Sequence, residues 1–597
     1  MKFSFLILST AIALAQAGNV KFNVVAPTAT EVKVSVNGQQ VPLTAVDANV
    51  PYFTGYADIG EAKEYKYIAG GTEEPFTRKL DTTKQSTLND FFNRSVTYAN
   101  IPKLPWPIQN NPQWTRENGK PSLFDENYIP SIFFNGDAAT VNNIVQNVPK
   151  DRVVGTLTVI GVDFANTYQN VSFGLHGAGK KKNNAKQSWN WELQPGDTLA
   201  KRTFFKLRHM EEDPTQIRER LYSDVLHALG TYANQATMVR LFINNEFYGT
   251  FNMLDDITHF SYINALFYGG KTPQQQGLLF DGQSGADFAV HTDDADGYGA
   301  WAPNPANAEG SDALDPLCKA FNTTDVRDNN ALAAFEKQFD TDHFLRFMVM
   351  EYLAGHWDGY WMEQTNDGVF QEPETEKWYY LGQDYDATFG VNLAEPEGKD
   401  FISVSYKDFP TRYPGGVMIN RLLENDNKRA TFEKYLTETV RVLFNNATLT
   451  NRVLALHNFL LPDLQWDRSV VQKSPGINFG WNFDQVTQNL WQGVNAPNQN
   501  GGGADWGLIE WIATKSQHVA QEFNINVVTE PQGPPSNTST VTPGGANTSS
   551  NVSSNGASDT TSANSAATKA DMTSAGVHLV PTAALLAFVA SAVALLL

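Results

Sequence analysis

Cysteine is nearly absent from this sequence, with Cys318 the single example in 597 residues. One thiol excludes an intrachain disulfide, so packing rather than cross-linking must hold the fold together, as a large chain allows. We predict that Cys318 is a buried apolar side chain, and pairing with a second chain is the less favoured alternative. The length predicts several domains, because a single core seldom grows beyond about 250–300 residues.

Positive charge is also scarce, since 44 Lys and Arg residues face 64 Asp and Glu residues and leave a formal net charge of −20. This balance argues against sequence-independent binding to nucleic acid, which depends on clustered cations. The 41% hydrophobic and 12% aromatic content is ample for sizeable cores. We predict a globular protein without a nucleic-acid partner, in which any local basic cluster is conspicuous.

Long apolar runs are confined to the two ends of the chain. At the start, residues 3–14 are apolar, Lys2 precedes them and the small-x-small pattern Ala15-Gln16-Ala17 follows. The run is too short to span a bilayer, so residues 1–17 are typical of a secretory signal peptide. N-glycosylation sequons fit the same route. They begin at Asn93, Asn170, Asn322, Asn446, Asn537, Asn547 and Asn551.

The carboxyl end carries the second apolar run, and no cation follows it. Residues 528–570 are rich in Ser, Thr and Asn and too poor in large apolar side chains to fold, which predicts a disordered stalk. A small-residue site, a polar spacer and an apolar tail indicate a GPI-attachment signal ending in residues 571–597, with Asn564 or Ser574 as the attachment site. A tail-anchored transmembrane helix is the alternative.

Residues 18–100 have the alternation of β-strands. Val32, Val34 and Val36 alternate with polar residues, and the hairpin signal Asn37-Gly38 follows them. Short strands at this spacing predict a small β-sandwich that resembles the immunoglobulin-like modules of extracellular proteins. Its expected role is accessory, as a spacer or a weak glycan binder. The proline-rich residues 101–127 predict a linker.

A larger α+β unit is predicted over residues 128–527. Strands flank an amphipathic helix that opens at Asp213-Pro214, carries Ile217, Leu221 and Val225 on one face, and ends at Gly230. Helical patterns dominate after residue 340. A β-rich half followed by a helical half predicts a two-lobed, kinase-like domain, although the same order of elements is common in unrelated α+β proteins.

Residues 176–186 form the one conspicuous basic cluster. Gly177 and Gly179 free the backbone to approach a ligand, while Lys180 and Lys186 offer ammonium groups to phosphate oxygens. The spacing matches neither the Walker pattern nor the dinucleotide-binding pattern, so a mobile, solvated turn is the alternative on spacing alone.

Polar residues between positions 351 and 390 have the order expected of a phosphoryl-transfer site. Asp358 follows a predicted buried helix, Asn366 comes later, and Asp384 and Asp386 follow a predicted strand. A catalytic base and two Mg²⁺ ligands occur in this order in protein kinases, so Asp358 is the candidate base and the other three are candidate metal ligands. Taken singly, these residues are better explained as a helix stop, a β-turn, and a solvated loop or a different cation site.

These motifs carry a family resemblance. Residues 172–523 resemble the spore-coat CotH-type atypical protein kinases, and the whole chain resembles the fungal cell-surface CotH-like invasins. The residues that carry the resemblance are Lys186-Gln187-Ser188, Asp213-Pro214-Thr215-Gln216-Ile217-Arg218, Tyr248-Gly249-Thr250-Phe251, Asp358-Gly359-Tyr360, Asn366 and Asp384-Tyr385-Asp386-Ala387-Thr388-Phe389-Gly390.

The resemblance implies ATP with Mg²⁺ or Mn²⁺ as cofactors, Asp358 as catalytic base and Asp384 as metal ligand. Asn366 follows less closely, because its spacing from Asp358 is longer than in bacterial members. Lys186 corresponds to a phosphate-binding lysine, and Lys180 and Arg218 lie in the motifs assigned to the nucleotide. Three carboxylates are candidates for the ion pair with Lys186. They are Glu211, Glu212 and Glu219.

The resemblance also implies a second function, because fungal relatives act as surface ligands that attach to host cells through a chaperone displayed there. The expected function is that of a GPI-anchored adhesin or invasin with a kinase-like fold, and whether the kinase is active stays open. A secretory-pathway kinase without an adhesive role and a glycan-binding wall protein are the alternatives. Both the basic cluster and residues 362–377 are polar and expected to be exposed, so either could meet a partner.

Overall fold

The computed structural model describes residues 18–108, 112–177, 184–393, 400–498 and 503–527. The predicted signal peptide, Lys180, the stalk, the terminal tail, Asn564 and Ser574 all lie outside these ranges. The described residues belong to one compact unit, and a second unit, Thr542–Leu597, lies outside them. No helix in the described part of the chain is both long and apolar enough to cross a membrane.

The first region is built of strands alone, as predicted. Val32, Val34 and Val36 are buried between more exposed neighbours, and Asn37 and Gly38 both have positive φ, at 52° and 75°, as a tight hairpin turn requires. The strands are β1 (Asn19–Val25), β2 (Val32–Val36), β3 (Gln39–Asp47), β4 (Val50–Asp58), β5 (Glu64–Ala69), β6 (Thr72–Glu73), β7 (Arg78–Lys79) and β8 (Ser86–Phe91). They pair in the order β6-β5-β2-β3-β4-β1-β8, with β7 beside β5. The sandwich itself stays a prediction.

Seven strands of the larger unit close into a barrel. They are β9 (Ser131–Gly136), β10 (Arg152–Ile160), β11 (Ala165–Leu175), β12 (Trp189–Glu192), β13 (Phe204–Arg208), β14 (Ala236–Ile243) and β15 (Glu246–Leu254). Their order is β10-β11-β12-β13-β15-β14-β9, and the parallel pairing of β14 with β9 closes the barrel. Stacked rings of Phe134 and Phe173, with centroids 4.3 Å apart, help fill its core. Gly155 is required here, because a Cβ would lie 2.3 Å from the carbonyl oxygen of Asn135.

A second, antiparallel sheet has the order β17-β16-β18-β19. Its strands are β16 (Leu278–Gly282), β17 (Trp301–Pro303), β18 (Asp367–Gln371) and β19 (Trp378–Gly382). The expectation that residues 362–377 form an exposed surface is therefore wrong. Strand β18 lies between two others and residues 367–370 are buried, so only Glu363 and residues 374–376 of this segment are exposed. The polar residues of this segment gave no signal of a central strand in the sequence.

Helices make up most of the remainder, and a mixed α+β architecture is confirmed. They are α1 (Ala138–Asn147), α2 (Arg218–Ala228), α3 (Phe260–Tyr268), α4 (Asp315–Thr323), α5 (Asn329–Phe335), α6 (Thr341–Ala354), α7 (Tyr360–Glu363), α8 (Phe409–Arg412), α9 (Val417–Leu422), α10 (Asp426–Val442), α11 (Thr448–Asp467), α12 (Phe483–Gln488) and α13 (Leu508–Phe523). Short 3₁₀ turns occupy Ser122–Phe124, Ser311–Leu314 and Tyr406–Asp408. Cys318 on α4 is buried, as predicted.

Helix α2 begins later than the sequence predicts. Both the Ile217 and Arg218 backbone N–H groups donate to Asp213 Oδ2 at 2.8 Å, and Thr215 donates to Asp213 Oδ1. Asp213 therefore closes a capping turn before the helix instead of opening its first turn. Residues 218–226 are all buried, so the polar face of this amphipathic helix faces protein rather than solvent.

The amino-terminal strands are fastened to the larger unit through α11. Asp463 accepts hydrogen bonds from Arg94 at 3.0 Å and from Arg240 at 2.7 and 2.8 Å. Trp466 of the same helix packs against Phe91 of β8, with ring centroids 5.8 Å apart. Residues 101–127, predicted to be a linker, contribute the buried Ile101, Leu123 and Phe124 in their described part. The segment after β8 is therefore packed against the protein rather than extended through solvent.

Candidate metal and nucleotide site

Three carboxylates meet where β19, α2 and the turn after β19 converge. One oxygen each of Glu219, Asp384 and Asp386 lies within 4.8 Å of the others. Glu219 and Asp386 are buried, and Asp384 is half-buried. Two members of this cluster, Asp384 and Asp386, were predicted metal ligands. The third was predicted only as a partner for Lys186, so the structure gives Glu219 a different setting.

Aromatic packing brings the two halves of the cluster together. Tyr222 lies one turn after Glu219 on α2, and residues three apart share a helix face. Its ring stacks on Tyr385 with centroids 3.9 Å apart and planes 8° apart. Because Tyr385 lies between Asp384 and Asp386 in sequence, this stack fixes the turn against the helix. Asp384 itself has φ of 60°, a left-handed conformation that Asp tolerates better than most residues.

Arg208 supplies the opposing charge from the end of β13. Its Nη2 lies 2.6 Å from Asp384 Oδ1 and 2.9 Å from Asp386 Oδ2. Burial acts to lower the pKa of Arg208, but the charges of Asp384 and Asp386 outweigh it and raise that pKa. The sequence shows Arg208 only as the end of a strand, so its role depends on the tertiary fold.

The cluster is strained electrostatically. Burial, followed by the charges of Asp386 and Asp384, raises the pKa of Glu219 to about 8, although Arg208 and Lys206 act in the opposite direction. Neither carboxylate oxygen of Glu219 has a hydrogen-bond partner among the residues that the structure describes, although both are buried. A buried acid without donors is costly, and a cation shared with the two aspartates would offset that cost.

Asp358 lies in the turn between α6 and α7, with its carboxylate held in place. The amide nitrogen of Asn366 donates to the Asp358 side chain at 2.8 Å and to its backbone oxygen at 3.0 Å. His356 Nε2 lies 3.4 Å from Asp358 Oδ1. Burial lowers the pKa of His356 to about 4, although the charge of Asp384 acts in the opposite direction. His356 is therefore a neutral imidazole beside Asp358.

A second layer of polar groups ties Asn366 to the sheet. Gln383 donates its backbone N–H to Asn366 O at 3.0 Å and its side-chain amide to Asp281 at 2.9 Å. Burial raises the pKa of Asp281 to about 6, and the charge of Asp256 adds to this rise. Burial also acts to raise the pKa of Asp256, but Lys206, His176 and Thr258 lower it overall. The pKa values of Asp281 and Asp256 are therefore shifted in opposite directions.

The structure does not place every predicted residue here. Lys186 pairs with Asp467 at 2.8 Å, on α11, and with none of Glu211, Glu212 and Glu219. The predicted pairings are wrong, because the partner comes from a helix 281 residues further along the chain.

Arg218 is also engaged elsewhere. The guanidinium is fully buried and donates to Asp213 at 2.6 Å, to Asn489 at 2.7 Å and to the Trp506 backbone at 3.0 Å. These contacts favour a structural role. Nucleotide binding by Arg218 stays a prediction without support from its geometry.

The arrangement fits a hard divalent cation. Magnesium prefers carboxylate oxygens close to one another and keeps coordination positions for water and phosphate. Glu219, Asp384 and Asp386 offer such oxygens. His356 lies 3.4 Å from Asp358 and is influenced by the charge of Asp384. Phosphoryl transfer requires a bound cation, a carboxylate that accepts a proton and a positively charged group for charge balance. This site could supply all three, with Arg208 as the positively charged group.

Comparison with known proteins places this site in a family. The family described as CotH kinase protein matches residues 173–499. Invasin CotH3 of Rhizopus delemar is 68% identical over 539 residues, 90% of each chain, and Invasin CotH2 of the same organism is 65% identical over 555 residues, 92% of each chain. Inner spore coat protein H of Bacillus subtilis is 20% identical over 263 residues, 43% of this chain and 67% of that protein. The chain therefore belongs to the CotH family.

Proposed function

We propose that this protein binds ATP with Mg²⁺ or Mn²⁺ and transfers phosphate to protein. The observation that carries the proposal is the Glu219, Asp384 and Asp386 cluster, in which a buried carboxylate without hydrogen-bond donors lies beside two others. The family match over residues 173–499 supports the same chemistry. Asn366 extends the metal-binding set, as in the sequence-based prediction.

Each residue then has a definite task. Glu219, Asp384 and Asp386 hold the cation, which neutralises charge on the phosphates when it is bound. Asp358 accepts the proton of the attacking hydroxyl, and Asn366 keeps its carboxylate in one orientation. The positive charge of Arg208 offsets the repulsion between Asp384 and Asp386. Its guanidinium can also turn towards phosphate oxygens. His356, being neutral, adds no competing positive charge.

Incorporation of labelled phosphate by the purified full-length protein tests the proposal. We expect autophosphorylation with Mg²⁺ or Mn²⁺ and none when a chelator is present, because the carboxylates cannot hold ATP without a cation. Wild-type protein that neither binds nor turns over ATP with either metal would exclude an enzymatic role and leave the fold as a scaffold.

A second function is favoured by the relatives. Two of them, at 68% and 65% identity over nine-tenths of the chain, are named invasins. We propose that this protein is displayed on the cell surface and attaches to host cells, with a surface chaperone as the class of receptor. A signal peptide and a GPI anchor are the proposed route and attachment. Secretory-pathway kinase activity without adhesion and glycan binding by the strands β1–β8 are the alternatives.

Glycosylation belongs to the same proposal. Among the sequons within the described residues, Asn93, Asn170 and Asn322 are exposed, whereas Asn446 is buried and accepts a hydrogen bond from Thr450 at 3.0 Å. We therefore propose glycans on Asn93, Asn170 and Asn322 and none on Asn446.

Beads coated with the purified protein provide the test of attachment. We expect them to bind host cells several times more than beads coated with an unrelated protein of similar charge, and soluble protein to compete. Equal binding by both kinds of bead would contradict the adhesive role. Because the beads carry no fungal cell wall, this result does not depend on the anchor.

A further inference from the structure

Lys206 lies on the same strand face as the arginine of the site. It precedes Arg208 by two residues on β13, and residues two apart point to the same side of a strand. The side chain is buried, with 4% of the residue exposed. Among the residues that the structure describes, its side chain makes no hydrogen bond or ion pair. A buried lysine without a partner is unusual.

The electrostatic influence of Lys206 shows what surrounds it. Its positive charge acts to lower the pKa of Glu219, of Asp256 and of Asp281, so these are carboxylates whose ionisation it favours. Burial lowers the pKa of His176 to about 4, and the charge of Lys206 is the second cause of this shift. Lys206 therefore shares a strand face with Arg208, which contacts Asp384 and Asp386, and among the described residues it closes no ion pair of its own.

Lys186 has the opposite environment. Its ammonium lies 2.8 Å from Asp467 and 5.0 Å from the centre of the Phe251 ring. Asp467 also accepts from the Thr250 backbone N–H at 2.7 Å and from Gln216 at 3.0 Å. Only 1% of either ionic side chain is exposed. Moving Lys186 to a ligand would leave Asp467 buried without its cation, which is strongly unfavourable.

We propose that Lys206, together with Arg208, binds the phosphate oxygens of the nucleotide, and that Lys186 is a structural residue that ties the barrel to α11. This inference rests on the proposed function for the identity of the ligand. Two cations on one strand face, near the carboxylates proposed to hold the metal, would bind phosphate oxygens that the metal does not coordinate. Lys206 would be a binding residue that the motifs in the sequence do not show.

Calorimetric titration with Mn²⁺-ATP and with Mn²⁺-tripolyphosphate tests the assignment. We expect Lys206→Met to weaken both by roughly 10- to 100-fold, the range for losing one charge-assisted hydrogen bond, and Lys206→Arg to restore most of the affinity. Lys186→Met should lower the thermal unfolding midpoint, while the protein that remains folded binds both probes with wild-type affinity.

The outcomes separate this inference from the proposed function. Two results would overturn the inference and leave the proposed function standing. One is that a folded Lys186→Met variant no longer binds either probe, and the other is that a folded Lys206→Met variant binds both with unchanged affinity. Lys206-dependent binding of tripolyphosphate without any phosphate transfer supports the inference and contradicts the function. Wild-type protein that binds neither probe overturns both.

Discussion

Replacing Asp384 by Asn is expected to lower Mg²⁺-dependent phosphate incorporation by roughly 100-fold or more. The change preserves the shape of the side chain but removes one of the three carboxylates that we propose hold the cation. It also removes a partner of Arg208, which keeps its contact with Asp386 at 2.9 Å. Radiolabelled ATP incorporation by purified variant and wild type, at equal concentrations of folded protein, measures the effect. Asp358→Ala should reduce incorporation as well, through loss of the base.

The exposed Asp197 offers a matched control, because Asp197→Asn makes the same chemical change in a surface turn. That variant should incorporate phosphate at the wild-type rate. Asp384→Asn should also keep its thermal midpoint, since losing one charge from an acidic cluster relieves repulsion. It should still attach to host cells. Undiminished incorporation in Asp384→Asn would exclude the cluster as the metal site, and loss of attachment together with activity would show that the two functions are not separable.

Local sequence was sufficient for the elements that precede Asp358 and Asp384. Each of these two residues follows a helix or a strand whose periodicity is clear in the sequence, so its position at the end of an element could be predicted. The order of these residues along the chain could also be compared with that of phosphoryl-transfer sites, which suggested a role for each. The hydrogen bond from Asn366 to Asp358 could not be predicted, because it depends on how the turn between α6 and β18 closes.

Glu219 and Arg208 were not predictable as members of the site. An amphipathic helix with Ile217 and Leu221 on its apolar stripe suggests that Glu219 faces water. Helix α2 is instead enclosed on all sides, and its charged face meets the turn that carries Asp384. The useful signal was the concentration of charge on a helix that the fold must bury, although sequence alone does not reveal that burial.

Long-range pairing limited the prediction in the same way. The partner of Lys186, Asp467, comes from the last turn of α11, and nothing local in the sequence connects the two. The buried strand β18 was likewise hidden, since Asp367 and Gly368 have low strand propensity and read as a turn. Its position between β16 and β19 overrides that preference.

Lys515 gives the other large expected effect, on stability rather than activity. It lies fully buried on α13, with its ammonium 3.7 Å from the centre of the Tyr352 ring and 3.3 Å from the Phe401 backbone oxygen. Burial lowers its pKa from the model-compound value of 10.5 to about 7, although Glu522 acts in the opposite direction. Folding therefore favours the neutral amine.

The sign of the pH dependence follows from proton binding. Between the folded pKa of about 7 and the unfolded value of 10.5, the unfolded chain binds the extra proton. The contribution of Lys515 to the free energy of unfolding therefore rises with pH across that window, and its unfavourable effect is fully present below it. A side chain that cannot be protonated removes this dependence.

Lys515→Met is accordingly expected to stabilise the protein most at low pH. We expect its gain in the free energy of unfolding over wild type to be larger by ~3 kcal/mol near pH 6 than near pH 9. Denaturant unfolding of both proteins at the two pH values measures this difference, and subtraction cancels every titration they share. Lys434→Met, at an exposed lysine, should show no such difference. A Lys515→Met gain that does not change with pH would show that the buried amine stays charged throughout, held by the Tyr352 ring and the Phe401 carbonyl.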